Sequence, residues 1–182
     1  MTYSHQGKVV LVTGAGAGIG QAIAQRFAEA GAHVVVNDVT LATAQATTGA
    51  ITAAGGTALA IMADVSNSQQ VAEMFDQTLE AFGTLDVLVN NAGLIGPMRH
   101  FFDADEDWWR KIIDVNLTGH FLCSQKAARI MAKNGHGVII NMSSGGATRA
   151  HRAFCAYDAS KGGVEALTRA MALDLGPYGI RV

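Results

Sequence analysis

Tyr157-Asp158-Ala159-Ser160-Lys161 places a phenol and an ammonium four residues apart, on one face of a helix. An ordinary phenol titrates near 10 and is a poor proton carrier at neutral pH. Bringing one to neutrality takes roughly 3 pH units, or ~4 kcal/mol. A cation ~4 Å away, at an effective dielectric of ~20, supplies about that much. The pair therefore suits proton transfer to or from a substrate oxygen. Taken alone it is a weak signal, because such pairs also stand on solvated helix faces.

A second group of residues sits near the other end of the chain. Thr13-Gly14-Ala15-Gly16-Ala17-Gly18-Ile19-Gly20 follows an apolar run and opens a helical stretch. Its spacing is TGxxxGxG, not GxGxxG. Glycines there let the backbone turn sharply and approach a pyrophosphate, and the helix start offers free N–H groups and a positive dipole end. Asp38 closes the next apolar run, 20 residues after Gly18, where a carboxylate accepts hydrogen bonds from an adenosine ribose and repels a 2′-phosphate. No Lys or Arg lies in the glycine loop or beside Asp38, so NAD is favoured over NADP. The competing reading of Asp38 is a cap for the following helix.

These residues need a rigid frame. Strands are expected at Lys8–Thr13, His33–Asn37, Ala58–Met62, Asp86–Asn90 and Val138–Met142, with another opening near Ile180. Helices are expected over 18–30, 40–54, 67–82, 105–133 (as two helices) and 155–176. Runs such as Val9-Val10-Leu11-Val12 and Val34-Val35-Val36 are continuously apolar, the mark of strands buried on both faces. The alternation gives an α/β fold, a three-layer doubly wound parallel sheet. At 182 residues, residues 1–182 make one domain.

Composition excludes several classes. The net charge of −2 and pI near 6.3 offer no basic patch for nucleic acid or an anionic membrane. Val39–Ala63 is uncharged for 25 residues, yet Gly55-Gly56 and many Thr and Gln break it as a membrane span. Cys123 and Cys155 lie 32 apart with no CxxC. They read as reduced thiols of a cytoplasmic protein and support neither disulfide nor zinc. His100, His136 and His151 lack metal-ligand spacing, so no metal site is expected.

Together, Thr13–Gly20, Asp64-Val65, Asn90-Asn91-Ala92-Gly93, Asn116, Ser143-Ser144 and Tyr157…Lys161 stand in an order and spacing that resembles the short-chain dehydrogenase/reductase family. The resemblance implies a Rossmann fold and oxidoreduction of an alcohol/ketone substrate. Tyr157 would then be the general acid/base, and Lys161 would hold the nicotinamide ribose. Ser144, rather than its neighbour Ser143, would orient the substrate oxygen. Asn116 would hold a relay water, its alternative role being to satisfy helix backbone. Gly14, Gly18, Ile19, Gly20, Asp38, Asp64, Val65, Asn91, Ala92 and Gly93 would contact NAD, with Asp64 alternatively a loop cap and Asn90 structural. The family pattern also implies a homodimer or homotetramer.

His151, Arg152 and Phe154 lie between Ser144 and Tyr157, where substrate touches them or they form plain loop. Trp108-Trp109 reads as helix packing or an interface. In the family pattern a sixth strand, a Pro-Gly loop, a substrate lid and a last strand follow α-helical residues 155–176. The resemblance therefore leaves the fold incomplete at its C-terminal edge, with the sixth strand onward missing. The alternative function is a dinucleotide-binding module that holds NAD without turnover.

Overall fold

The computed structural model describes residues 4–182. Six parallel strands form one sheet: β1 (Val9–Val12), β2 (His33–Asp38), β3 (Thr57–Met62), β4 (Val87–Asn90), β5 (Gly137–Asn141) and β6 (Ile180–Arg181). Their order across the sheet is β3-β2-β1-β4-β5-β6. The helices are α1 (Gly18–Glu29), α2 (Leu41–Ala53), α3 (Ser68–Phe82), α4 (Glu106–Ile113), α5 (Gly119–Asn134) and α6 (Cys155–Leu175).

The apolar runs do what continuous runs must. Alternate residues of β1 enter two separate cores: Val9 and Leu11 face α3 and α5 with Phe75, Met74 and Met131, while Val10 and Val12 face α1 and α2 with Ala24, Ala44 and Ile51. Burying each such side chain contributes roughly 1.5–3 kcal/mol. Cys123 is fully enclosed in the first core, and burial pushes its thiol up to about 12, leaving it inert.

Helix ends follow local chemistry. Asn67 caps α3 by accepting from the Gln69 and Gln70 N–H groups at 3.0 Å, and Gly83 closes it at φ +75°. At the amino ends of the strands, Asp86 joins three neighbours. It accepts from Lys8 Nζ (2.8 Å) and the Val9 N–H (2.9 Å), and meets His136 Nε2 at 3.1 Å. Burial works to raise its pKa, but these hydrogen bonds outweigh burial and hold the carboxyl below its ordinary value.

Two expectations change. Residues 105–133 do form two helices, but a π turn at Asp114–Thr118 joins them without a break. The sixth strand is not missing, because Ile180 and Arg181 already pair with Gly137 and Val138 of β5.

Candidate active site

The strand order reverses between β1 and β4, so their carboxyl ends open a crevice. Its two walls are stitched together. The Thr13 hydroxyl accepts from the Asn91 and Ala92 N–H groups, both at 3.0 Å. The Asn91 amide donates back to the Thr13 and Gly14 carbonyls at 2.9 and 3.1 Å. Gly14 sits at φ +60°, and a Cβ there would lie 2.8 Å from Ala92 Cα, so only glycine fits. At Gly20 a Cβ would meet the Gly14 carbonyl oxygen at 2.3 Å.

Unlike α3, α1 begins without a side-chain cap: Ala17 stands at its N-cap position. Asp38 is not the cap of α2 either, since Thr40 occupies that position. Its carboxylate instead accepts from the Gly16 N–H at 3.0 Å and the Thr40 N–H at 3.1 Å, which ties the glycine loop to the end of β2. Asp64 accepts from the Ser66 N–H (2.9 Å) and hydroxyl (2.6 Å), so it shapes its own turn while facing the crevice.

The crevice encloses about 580 Å³ and is lined by Gly14, Ile19, Asp38, Asp64, Val65, Asn91, Ala92 and Gly93. Asn37, Val39, Ala63, Leu94, Lys111 and Val115 also line it and escaped the sequence reading. Most of these follow the carboxyl ends of strands, the one signal that would have found them. Gly18 and Gly20 belong to the adjoining first turn of α1.

Ser144, Tyr157 and Lys161 lie outside that lining, on the β5–α6 side. Tyr157 packs on the small core of Trp108, Ile112 and Ala156, with the Trp108 indole N–H donating to the Pro97 carbonyl at 2.8 Å. Trp108 is thus a packing residue, and Trp109 is exposed. Lys161 is buried, and its Nζ donates to the Met142 carbonyl at 2.7 Å. It stands 5.8 Å from the centre of the Tyr157 ring. Burial holds its ammonium below the ordinary lysine value.

Asn116 connects the two halves. Wholly buried in the π turn, it accepts from the Leu94 N–H (2.7 Å) and donates to the Leu94 carbonyl (2.9 Å) and to Ser160 Oγ (3.2 Å). Ser160 in turn donates to the Tyr157 carbonyl at 2.7 Å. Ser144 and Ser143 are separated by their partners. Ser144 Oγ accepts from the Gly146 N–H at 3.2 Å, whereas the Ser143 hydroxyl donates to Glu165 at 3.1 Å.

The short chain dehydrogenase family model matches residues 8–182. The chain belongs to the short-chain dehydrogenase/reductase family. It is similar to the (2S)-[(R)-hydroxy(phenyl)methyl]succinyl-CoA dehydrogenase subunit BbsD of Thauera aromatica, 42% identical over 97% of this chain and 71% of that one. It is also similar to the cis-4-hydroxycyclohexanecarboxylate dehydrogenase of Sinomonas cyclohexanicum, 41% identical over 96% and 70% of the two chains. A crystal structure of a short-chain type dehydrogenase/reductase from Mycobacterium marinum superposes with a TM-score of 0.95 at 38% identity, covering all of this chain and 72% of that one. Members of the family bind a nicotinamide dinucleotide and act on small molecules. Among the described residues, no helix is long and apolar enough to cross a membrane.

One buried residue of this short-chain dehydrogenase/reductase had no motif to announce it. His120, one turn beyond Asn116, is 2% exposed, and its Nε2 has no hydrogen-bond partner among the described residues. Burial, helped by the Lys161 charge, pushes its pKa down to about 3. The folded chain thus holds a neutral imidazole while the unfolded chain gains a proton below its ordinary 6.5, so stability falls as pH drops from 6.5 toward 3. The expected loss between pH 7 and pH 5 is about 2 kcal/mol. Chemical denaturation of wild type and His120→Leu at both pH values checks it. The variant should lose that pH dependence, and equal slopes in the two proteins would contradict it.

Proposed function

We propose that the chain is an NAD-dependent oxidoreductase that interconverts a secondary alcohol and a ketone, with Tyr157 as general acid/base. The observation that carries this reading is the buried Lys161 ammonium, one helical turn from Tyr157, on a helix that Asn116 ties to the dinucleotide crevice. The crevice fits the cofactor on its own terms. Its glycine cradle has no room for Cβ atoms at Gly14 and Gly20, α1 starts with uncapped N–H groups, and Ile19, Val65 and Val115 supply apolar walls for an adenine. Asp38 would take the ribose hydroxyls. The chemistry supplied by a bound nicotinamide is hydride exchange with the carbinol carbon.

The chain's own residues handle the proton and the geometry. Tyr157 takes the hydroxyl proton on oxidation and returns it on reduction. Ser144 holds the substrate oxygen, while Ser143 is engaged with Glu165. Lys161 places a positive charge one helical turn from Tyr157 and would hold the nicotinamide ribose. Both polar side-chain atoms of Asn116 are taken up by Leu94 and Ser160. We therefore assign that side chain to holding the two halves in register, and a relay water would have to rest on its main chain.

Two similar proteins carry names that describe secondary alcohols, a hydroxy(phenyl)methyl group and a 4-hydroxycyclohexane ring, which supports the substrate class. The apolar groove between α5 and α6, lined by Phe121, Ala128, Leu167 and Met171, supports a dimer or tetramer. A monomeric mass in solution would exclude it.

The test is a fluorescence titration with NADH and NADPH, followed by turnover of NAD with cyclohexanol, 1-phenylethanol and cis-4-hydroxycyclohexanecarboxylate. NADH should bind at least about 10-fold more tightly than NADPH, because Asp38 opposes the added phosphate. Asp38→Ala should narrow that ratio, and it should weaken both cofactors as well, since Gly16 loses its anchor. An unchanged ratio would leave Asp38 as a loop anchor only. NADH binding without turnover of any alcohol would favour the binding-module reading, and no binding of either cofactor would overturn both.

A further inference from the structure

The segment between Ser144 and Tyr157 carries the second polar group of the reaction, yet little of it is regular. A short 3₁₀ turn at Gly145–Ala147 is followed by irregular chain up to Cys155. Phe154, at the N-cap of α6, gives no side-chain cap. What fixes the segment is a carboxylate from the helix itself.

Asp158 stands in the first turn of α6, next to Tyr157. It does not bond to the N–H groups of its own helix. Its Oδ2 accepts from the His151 N–H at 2.7 Å, and its Oδ1 meets His151 Nδ1 at 2.9 Å. A Cβ on Gly146 would lie 2.3 Å from Asp158 Oδ1, so the carboxylate rests directly on the turn whose N–H binds Ser144 Oγ. The Asp158 side chain is 15% exposed, although its partner is 48% exposed. The far end of the segment is held too: Ala153 adopts φ +67°, and its carbonyl accepts from the Arg99 N–H at 3.1 Å. The His151 ring then packs edge-on against Phe154, and Phe154 against Tyr157.

We propose that Asp158 is a positioning residue, which through His151 and Gly146 clamps the loop that presents Ser144 to Tyr157. The proposal rests on the oxidoreductase reading above and adds to it a device that neither the glycine loop nor the Tyr-Lys pair contains. The physical reason is simple. A loop that carries a substrate-orienting hydroxyl must be held to a fraction of an ångström, because a misplacement of about 1 Å costs on the order of 100-fold in rate. An acceptor on the rigid helix that bears Tyr157 fixes the two groups relative to one another.

The test has one arm that needs no substrate. Arg149 and Arg152 are exposed within the clamped segment, so trypsin reports its opening. Asp158→Ala should be nicked after these residues at least about 10-fold faster than wild type, at unchanged NADH affinity. Its kcat on the best alcohol of the panel above should fall about 10- to 100-fold. Asp158→Asn, which keeps an acceptor for the His151 N–H, should recover most of both. In a Ser144→Ala background the Asp158→Ala loss should largely vanish, which damage to the fold in general would not produce.

If Asp158→Ala does not fold, Gly146→Ala serves instead, because its Cβ displaces the carboxylate and should give the same nicking and the same loss. Wild-type trypsin resistance and kcat in these variants would overturn the clamp, as would a loss fully additive with Ser144→Ala. A wild-type chain that turns over no alcohol would overturn the oxidoreductase reading, and the clamp as a catalytic device with it.

Discussion

Tyr157→Phe removes a single oxygen atom and is expected to lower kcat about 1,000-fold, within the range of general acid–base catalysis, while NADH binds within about twofold of wild type. The separation of the two effects follows from what the rest of the residue does. The ring keeps its packing on Trp108, Ile112 and Ala156. The bond that Ser160 makes is to the Tyr157 carbonyl, which the substitution leaves in place. Among the described residues, the hydrogen bonds that shape the crevice run through Thr13, Asp38, Asn91 and Asn116 and not through the phenol oxygen. Steady-state kinetics beside an NADH titration read both quantities. Turnover within tenfold of wild type would remove Tyr157 as the proton carrier, and loss of NADH binding would mean that the hydroxyl has a structural duty.

The second large effect is expected at the opposite end of the site. Gly20→Val should abolish cofactor binding, at least a 100-fold loss of NADH affinity, because the first added carbon would sit 2.3 Å from the Gly14 carbonyl oxygen and 2.4 Å from Asn91 Nδ2. Neither neighbour can yield: one is backbone, and the other is held by bonds to the Thr13 and Gly14 carbonyls. Gly49→Ala is the matching control. Gly49 lies inside α2, where an added Cβ meets nothing within 4 Å. It should leave NADH affinity unchanged and stabilise the fold by roughly 0.5–1 kcal/mol. Titration together with thermal unfolding distinguishes the two. A Gly20→Val protein that binds NADH like wild type would show that the loop is not the cofactor cradle.

How far the sequence can be read depends on whether the physics is local. Val9–Val12 and Val34–Val36 announce a sheet covered on both sides because each residue must enter one of two cores, and they do. The glycine loop is legible for the same reason, since φ > 0 and close approach are demands on single positions. The π turn left no such mark. Residues 105–133 read as two helices, but nothing in the run marks the extra residue in the turn at Asp114–Thr118, which serves Asn116, whose partners Leu94 and Ser160 lie 22 and 44 residues away. Asp38 shows an intermediate case. Its place at the end of β2 is legible, but its bond to the Gly16 N–H is a tertiary fact. His120 and the His151–Asp158 pair were invisible as such, because a histidine's burial or partner is set by elements that meet only in the folded chain.

The Thr13 hydroxyl and the Asn91 amide together place four hydrogen bonds across the mouth between β1 and β4. With Gly14 seated against Ala92, that mouth has no hinge. The disorder that two loops would otherwise surrender on meeting a ligand has already been lost during folding. Dinucleotide capture on this side is therefore the docking of one shape into another. Whatever opening and closing the reaction cycle requires falls to segments other than this mouth.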